Sequence, residues 1–432
     1  MPVANRVQRG VRRERVALVL AGGGARGAYE AGVLDALARA LAGQGMTPDI
    51  IVGTSIGALN SAFFAARAHE PLQASAAAAV EMWRELRWGD ALRPLVSPSE
   101  LGRVLSAGAL LAGLPGVDLA GLLDPSPLRD TVSRLVAFEQ LARNVKDGPL
   151  TAAAVVATSY ATTRSVVFHH GGPALGLDST RAIEYVATPI APEHVLASAA
   201  IPGAFPAVEI HRPRTAAGWY GDGGVRLNAP LAPALALGAD RVVAIGLNSS
   251  VTHVRPSARP DAIDGVAQLL QVVLADQLAA DVATLAAVNE TLPAAPAARP
   301  GARRTGRGRV PYIFIAPADR LEIGRLARDV YRRHYAGISS LVRESNLALL
   351  GRVVNAEHSA IHGELLSYLF LAREFIDELI ALGRRDGERW LAADHDAGLW
   401  QVGRLPSAGT GAAAPQRVPR DRRARTPPSM PA

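Results

Sequence analysis

After a short basic start, the chain runs through the same local plan twice. "RVALVLAGGGARGAYEAGVLDALARALAGQG" is an apolar run, a glycine triplet and a stretch in which Tyr29, Val33, Leu37 and Leu41 recur at every fourth position. "DIIVGTSIGALNSAFFAARA" repeats the order with a Gly/Ser turn. Recurrence at four marks one face of a helix. Strands that are apolar throughout, rather than alternating, must be covered on both faces, which is the condition of a parallel sheet with helices above and below. The pattern therefore predicts an α/β fold, a three-layer α/β/α sandwich with a mostly parallel central sheet.

Further along, residues 72–145 read as mainly helical with irregular Gly/Pro segments, and "LTAAAVVATSYATTRSVVFHH" offers two strands around a turn. "DRVVAIGL" (240–247) and "VPYIFIAP" (310–317) supply later strands, with a helix over about 261–290 between them. The Pro/Ala/Arg stretch 292–309 has no apolar periodicity and is expected to be a mobile loop. From Leu321 to about Leu391 the pattern is helical again. The resulting organisation is a basic N-terminal tail (1–14), an α/β body (15–320), a C-terminal helical region packed on that body (321–400) and a disordered basic tail (405–432).

Composition narrows the chemistry. With 49% hydrophobic residues in 432, the chain has ample material for a core. It contains no Cys, which removes disulfides, thiolate metal sites and a sulfur nucleophile together. The net charge of +7 is concentrated: residues 1–15, 299–309 and 403–432 hold sixteen Arg against Glu14 and Asp421, so the remainder is acidic. A broad nucleic-acid-binding face is thereby not expected. No stretch reaches the roughly 20 apolar residues of a membrane span; "LSAGALLAGLPGVDLAGLLD" (105–124) is broken by Pro115 and Asp118. That stretch reads equally as a mobile apolar surface or as an irregular buried segment. The apolar run 16–21 is too short for a signal peptide, so a cytoplasmic protein is expected, with peripheral contact to a membrane and signal-independent export left open.

Gly22, Gly24 and Gly27 match G-x-G-x-x-G between a strand and a helix, the dinucleotide fingerprint. A dinucleotide site also needs an acid at the end of the second strand. Here that strand ends in Gly53-Thr54-Ser55, and its only acid, Asp49, stands at the other end. What survives is more general: glycines admit close approach of a backbone, and the N–H groups at the next helix's start stabilise negative charge. Gly53-Thr54-Ser55-Ile56-Gly57 is a G-x-S-x-G sequence between an apolar strand and a helix, the setting of a nucleophile elbow that projects Ser55. Read without that context it is a Gly/Ser turn with a capping serine. Asp222-Gly223-Gly224 puts a carboxylate at a Gly-permitted turn, and alone it is only a turn. "ASAAIPGAFPAVEI" (197–210), with Ser198, Pro202, Phe205 and Pro206, reads as a rigid apolar approach to it.

Taken jointly and in order, "GGGARG", "GTSIG", "ASAAIPGAFP" and "DGG" resemble the patatin-like phospholipase family over about Arg15 to Leu247, and "GELLSYLFLAREFIDELIALGRRD" is similar to the helical end of its bacterial members. The resemblance implies a lipid acyl hydrolase with a Ser–Asp dyad and no catalytic His. It assigns Ser55 as nucleophile, Asp222 as base, and Gly22, Gly23 and Gly24, helped by Arg26, as the oxyanion hole, with Gly53 and Gly57 shaping the elbow. The implied partner is a phospholipid or lysophospholipid substrate; no cofactor and no metal are expected, and protein partners are left open. A carboxylate of ordinary pKa, about 4, is a weak base toward serine. That value predicts an acid limb of activity well below the one near 6.5 that a His base would give.

Ten His residues stand as rivals to the dyad. His253 is the best placed, beyond the strand ending at Leu247, yet it lies in a Pro/Ser/Arg stretch without a motif. His358 and His362 are spaced i, i+4 after Glu357 but lack the H-E-x-x-H order, which favours an ordinary helix face over a zinc site. Alternatives to the hydrolase are a transacylase or general esterase with the same dyad, a dinucleotide-binding protein, and a scaffold without chemistry.

Overall fold

The computed structural model describes residues 14–94, 123–228, 230–247, 278–293, 308–337, 340 and 344–405. The tails 1–13 and 406–432, the Leu-rich stretch 105–122, the expected helix portion 261–277, the loop portion 294–307 and His253 lie outside the described residues.

The first strand, β1 (Val16–Leu20), is buried along its whole length and feeds through the glycine turn into α1 (Gly27–Gly43). Next come β2 (Pro48–Thr54), again wholly buried, α2 (Ile56–Ala66) and α3 (Leu72–Glu85). After shorter helices at 126–135 and 138–146, β3 (Ala152–Ser159) and β4 (Ser165–Gly171) form an antiparallel pair, as the sequence predicts. Then follow β5 (Ile183–Ala187), α4 (Pro192–Ser198), β6 (Val208–Ile210), β7 (Gly218–Asp222) and β8 (Arg241–Ile245). The remaining elements used below are α5 (Leu278–Thr291), β9 (Tyr312–Ile315), α6 (Glu322–His334), α7 (Ala360–Leu369) and α8 (Arg373–Ala392).

The strands form one sheet in the order β5-β4-β3-β2-β1-β8-β9, with β7 on β3 and β6 on β7. Pairing is parallel from β3 through β2, β1 and β8 to β9, and antiparallel where β4 and β7 join β3. Passage from β1 to β2 to β3 advances in one direction, so right-handed crossovers put α1 and α2 on one face. Return to β8 on the far side of β1 reverses the direction and puts helix 231–236, which packs on β1 and β2, on the other. The protein is thus a mostly parallel central sheet flanked by helices.

The stripe Tyr29, Val33, Leu37 and Leu41 is fully buried. On the same helix, Gly32 lies against the Ile380 carbonyl, and Gly383 lies against the Tyr29 carbonyl. These two glycines let α1 and α8 cross with their backbones nearly touching, and Tyr29 Oη donates to Asp386 Oδ2 at 2.7 Å across the contact. No described helix is long and apolar enough to cross a membrane.

Three strands have no counterpart in the sequence reading. β5, β6 and β7 are three to five residues long, and "GWYGD" has neither an apolar run nor alternation. It is a strand because β3 and β6 supply its hydrogen-bond partners. Asp222 therefore ends a strand, where the sequence alone reads a turn.

Candidate active site

Ser55 sits between the last residue of β2 and the first of α2 with φ 55° and ψ −124°. A non-glycine residue held there stores on the order of 1–3 kcal/mol of backbone strain. The flanking glycines make the turn sterically possible. A Cβ on Gly57 would stand 2.5 Å and 2.6 Å from the Leu20 and Ala21 carbonyl oxygens, and one on Gly53 would run into the Gly57 carbonyl.

The pairing of strands explains how a residue 167 positions away meets Ser55. One edge of β3 is occupied by β4 as far as Thr158. Along the other edge, β2 pairs up to Thr54 opposite Val156, and β7 takes over at the next position with Asp222 opposite Ala157. β2 and β7 thus share one lane and run head to head, so their carboxyl ends converge. Ser55 Oγ donates to Asp222 Oδ2 at 2.6 Å.

Asp222 is 0% exposed. Its second oxygen accepts the Gly224 N–H at 2.6 Å, its own N–H donates to the Ala200 carbonyl at 2.8 Å, and Thr158 Oγ1 donates to its carbonyl at 2.9 Å. Burial pushes the carboxyl up from 3.8 to about 7, against the lowering effect of the Ser55 and Gly224 hydrogen bonds. The expectation of a base of ordinary pKa is thereby corrected: removal from water outweighs two good donors.

Ser198, which the sequence places only in the approach to Asp222, and Asn228, to which it gives no role, complete the geometry. Ser198, buried at the end of α4, accepts the Ser55 backbone N–H at 2.8 Å and donates to the Val156 carbonyl at 2.5 Å. Asn228 clamps the glycine turn by accepting the Gly22 N–H at 3.1 Å and donating to the Gly22 carbonyl at 3.4 Å. A Cβ on Gly22 would approach Ser55 Cβ to 2.8 Å, so the turn lies directly beside the serine. The Gly22 N–H is committed to Asn228. Gly23 and Gly24, followed by the single 3₁₀ turn Gly24–Arg26, are the remaining backbone donors of the triplet at this point.

Arg26 is buried, and its side chain is turned to α7. Its Nε donates to Ser367 Oγ at 2.8 Å, and its Nη2 donates to the Glu364 carbonyl at 2.9 Å and to Glu364 Oε2 at 2.7 Å. The guanidinium stacks on Tyr368 at 4.0 Å. Gly24, at φ 61°, lies against the Tyr368 carbonyl. Glu364 Oε1 also accepts the Gly324 N–H of α6 at 2.7 Å. The C-terminal helices are thus locked onto the glycine turn through Arg26, a link between residues 338 positions apart.

No described His bonds to Ser55 or Asp222. His169 Nδ1 pairs with the Gly171 carbonyl at 2.8 Å, His194 Nδ1 accepts the Ala191 N–H at 3.0 Å, and His362 Nδ1 pairs with the Asn355 carbonyl at 3.0 Å. His358 lies 5.0 Å from His362, ring to ring. Among the described residues no group of three His, Cys, Asp or Glu is placed to hold a metal. A cavity of about 460 Å³ lined by Asn289, Glu290, Arg309 and Asp396 involves neither Ser55 nor Asp222.

The sequence model of the family described as patatin-like phospholipase matches residues 18–235, half of the chain, and the match contains the glycine turn, the elbow, Ser198, Asp222 and Asn228. Among solved structures, VipD from Legionella pneumophila is similar at 12% identity and a TM-score of 0.30, over 71% of this chain. This chain spans 62% of the length of that one. No curated protein matches.

Proposed function

The chain belongs to the patatin-like phospholipase family, and on that premise we propose that it hydrolyses carboxylic esters of phospholipids or lysophospholipids with Ser55 as nucleophile and Asp222 as base. The observation that carries the reading is the 2.6 Å hydrogen bond from Ser55 Oγ to a carboxylate withdrawn from water. A hydroxyl of a strained strand-to-helix turn, paired with a base of pKa about 7, is equipped for proton transfer near neutral pH.

Ser55 Oγ attacks the ester carbonyl carbon while its proton passes to Asp222 Oδ2. The tetrahedral oxyanion collapses, the bond to the alcohol oxygen breaks, and Asp222 returns the proton to the leaving alcohol. Water then attacks the acyl-Ser55 ester, giving its proton to Asp222; collapse frees the fatty acid, and the proton goes back to Ser55 Oγ. The oxyanion that forms in each half is met by the Gly23 and Gly24 N–H groups and by the positive end of α1. Asn228 and Arg26 act on this turn by holding it, Asn228 at Gly22 and Arg26 through α7. Ser198 fixes the orientation of the nucleophile by taking its backbone N–H.

The test is incubation of a phospholipid mixture with the protein and with Ser55→Ala, read by lipid mass spectrometry, alongside labelling by a fluorophosphonate. Free fatty acid and lysophospholipid are expected only with the unsubstituted protein, and the label only on Ser55. Acyl transfer to an alcohol in place of water would identify a transacylase with the same dyad. Lipid turnover that persists in Ser55→Ala, or absence of labelling, refutes the assignment.

A further inference from the structure

Past the level of the catalytic pair, the sheet continues as a projecting tip. Thr54 lies opposite Val156, and β3 runs on for three residues before Tyr160, which puts Tyr160 roughly 13 Å beyond Thr54 at ~3.3 Å per strand residue. The β6–β7 hairpin rises beside it, with the Tyr160 N–H donating to the Trp219 carbonyl at 3.0 Å. This is the end of the sheet at which Ser55 stands. Tyr160 and Trp219 are 52% and 53% exposed, among the few large hydrophobic side chains of the described residues left open to water. Tyr160 also lies along Gly221, the residue before Asp222.

The charges around this aromatic pair are mostly basic. Arg164, Arg212 and Arg214 belong to the turn after β3 and the loop between β6 and β7, and none of them has an ion pair among the described residues. Of the acids nearby, Glu209 stands 3.8 Å from His211, and Glu184 of β5 acts on Tyr220, the residue after Trp219. The rest of the described surface pairs many of its arginines, as at Arg84–Asp377 and Arg384–Asp35. Exposed Trp and Tyr prefer the boundary between headgroups and acyl chains, and unpaired arginines at the same depth find anionic headgroups.

Resting on the reading of Ser55 as a lipid acyl hydrolase, we propose that this tip, Tyr160 and Trp219 framed by Arg164, Arg212 and Arg214, is the surface that docks the protein on an anionic phospholipid bilayer. Docking there sets the carboxyl end of the sheet, with Ser55, toward the lipid. The indole and phenol rings enter the headgroup boundary, and the arginines hold phosphate oxygens around them. A zwitterionic bilayer offers the rings the same boundary but gives the arginines no net attraction.

The tryptophans make the test specific. Of the five, Trp83, Trp88, Trp390 and Trp400 are buried, so Trp219 alone reports from the surface. The full chain carrying Ser55→Ala, which leaves lipids intact, is titrated with phosphatidylcholine vesicles with and without phosphatidylglycerol. A blue shift of tryptophan emission and quenching by brominated acyl chains are expected on the anionic vesicles and lost in Trp219→Phe. Combined Arg212→Ala and Arg214→Ala is expected to raise the lipid concentration at half binding about 30-fold, roughly fivefold for each arginine at an anionic surface. Vesicles that sediment the protein without changing Trp219 emission would assign binding to the basic termini and overturn the proposal. An equal response on neutral vesicles, or a shift produced by heparin and not by vesicles, would also overturn it. Hydrolysis of a soluble ester by the unsubstituted protein separates the two claims. Docking without hydrolysis refutes the catalytic reading alone, and hydrolysis without docking refutes the surface alone.

Discussion

Asp222→Asn is expected to make the protein inactive and, above neutral pH, more stable. In the folded protein the carboxyl is raised from 3.8 to about 7 because it is removed from water. At ~1.4 kcal/mol per pH unit, the ionised folded form is disfavoured by about 4 kcal/mol. The unfolded chain loses this proton near 3.8 and the folded chain keeps it until about 7. Between those values the folded state binds more protons, so stability falls as pH rises, and the loss is complete above about 7. An asparagine carries no charge and escapes that loss. Like the protonated carboxyl, its amide can accept the Gly224 N–H and donate to Ser55 Oγ in place of the present bond. The variant is therefore expected to match its parent to within about 1 kcal/mol near pH 4 and to be more stable by roughly 3–4 kcal/mol near pH 8. Urea unfolding across this range measures the divergence, and soluble-ester turnover measures the activity. A stability difference that does not change with pH would refute a buried carboxyl of raised pKa. In the parent, kcat/KM should fall on the acid side with an apparent pKa near 7. That is also the region of a His base, so the pH limb alone does not separate a dyad from a triad. Single Gln replacements of His169, His170 and His211 make that separation, and each is expected to keep most of the activity.

Glu364→Ala leaves the buried Arg26 guanidinium without its carboxylate. A loss of about 3–5 kcal/mol in denaturant stability is expected from breaking such a pair, and where the protein remains folded, kcat should fall more than KM rises. Glu364→Gln, which keeps an acceptor, should recover part of both. Ser198→Ala removes the acceptor of the Ser55 N–H; steady-state kinetics and thermal melting should show lower kcat and a stability loss of about 1–3 kcal/mol. Gly32→Ala drives a methyl into the Ile380 carbonyl and should cost about 1–3 kcal/mol by overpacking. An unchanged Tm would show that α1 and α8 can separate freely.

What was legible in the chain alone was what neighbouring residues impose on one another. The apolar runs of β1 and β2 and the helical stripe of α1 need only a few consecutive side chains to declare themselves, and the structure has them as expected. Ser55 is legible for the same reason, since its turn, its strand and the two glycines that permit it fall within a few residues. The short β7 was not legible, because "GWYGD" owes its conformation to β3 and β6 and not to its own side chains. Asp222 could be tied to Ser55 only through a family resemblance, and the physical tie is the shared lane along β3. Ser198 and Asn228 are ordinary polar residues until folding brings a backbone N–H to each. Arg26 stands in the glycine motif, yet its guanidinium belongs to a helix from the far end of the chain. Local order, which depends on near neighbours, was thus set by the sequence itself. The pairing of Ser55 with Asp222, the anchoring of Arg26 and the raised carboxyl pKa were decided only by tertiary structure, because burial and the meeting of distant groups exist only once the chain has closed on itself.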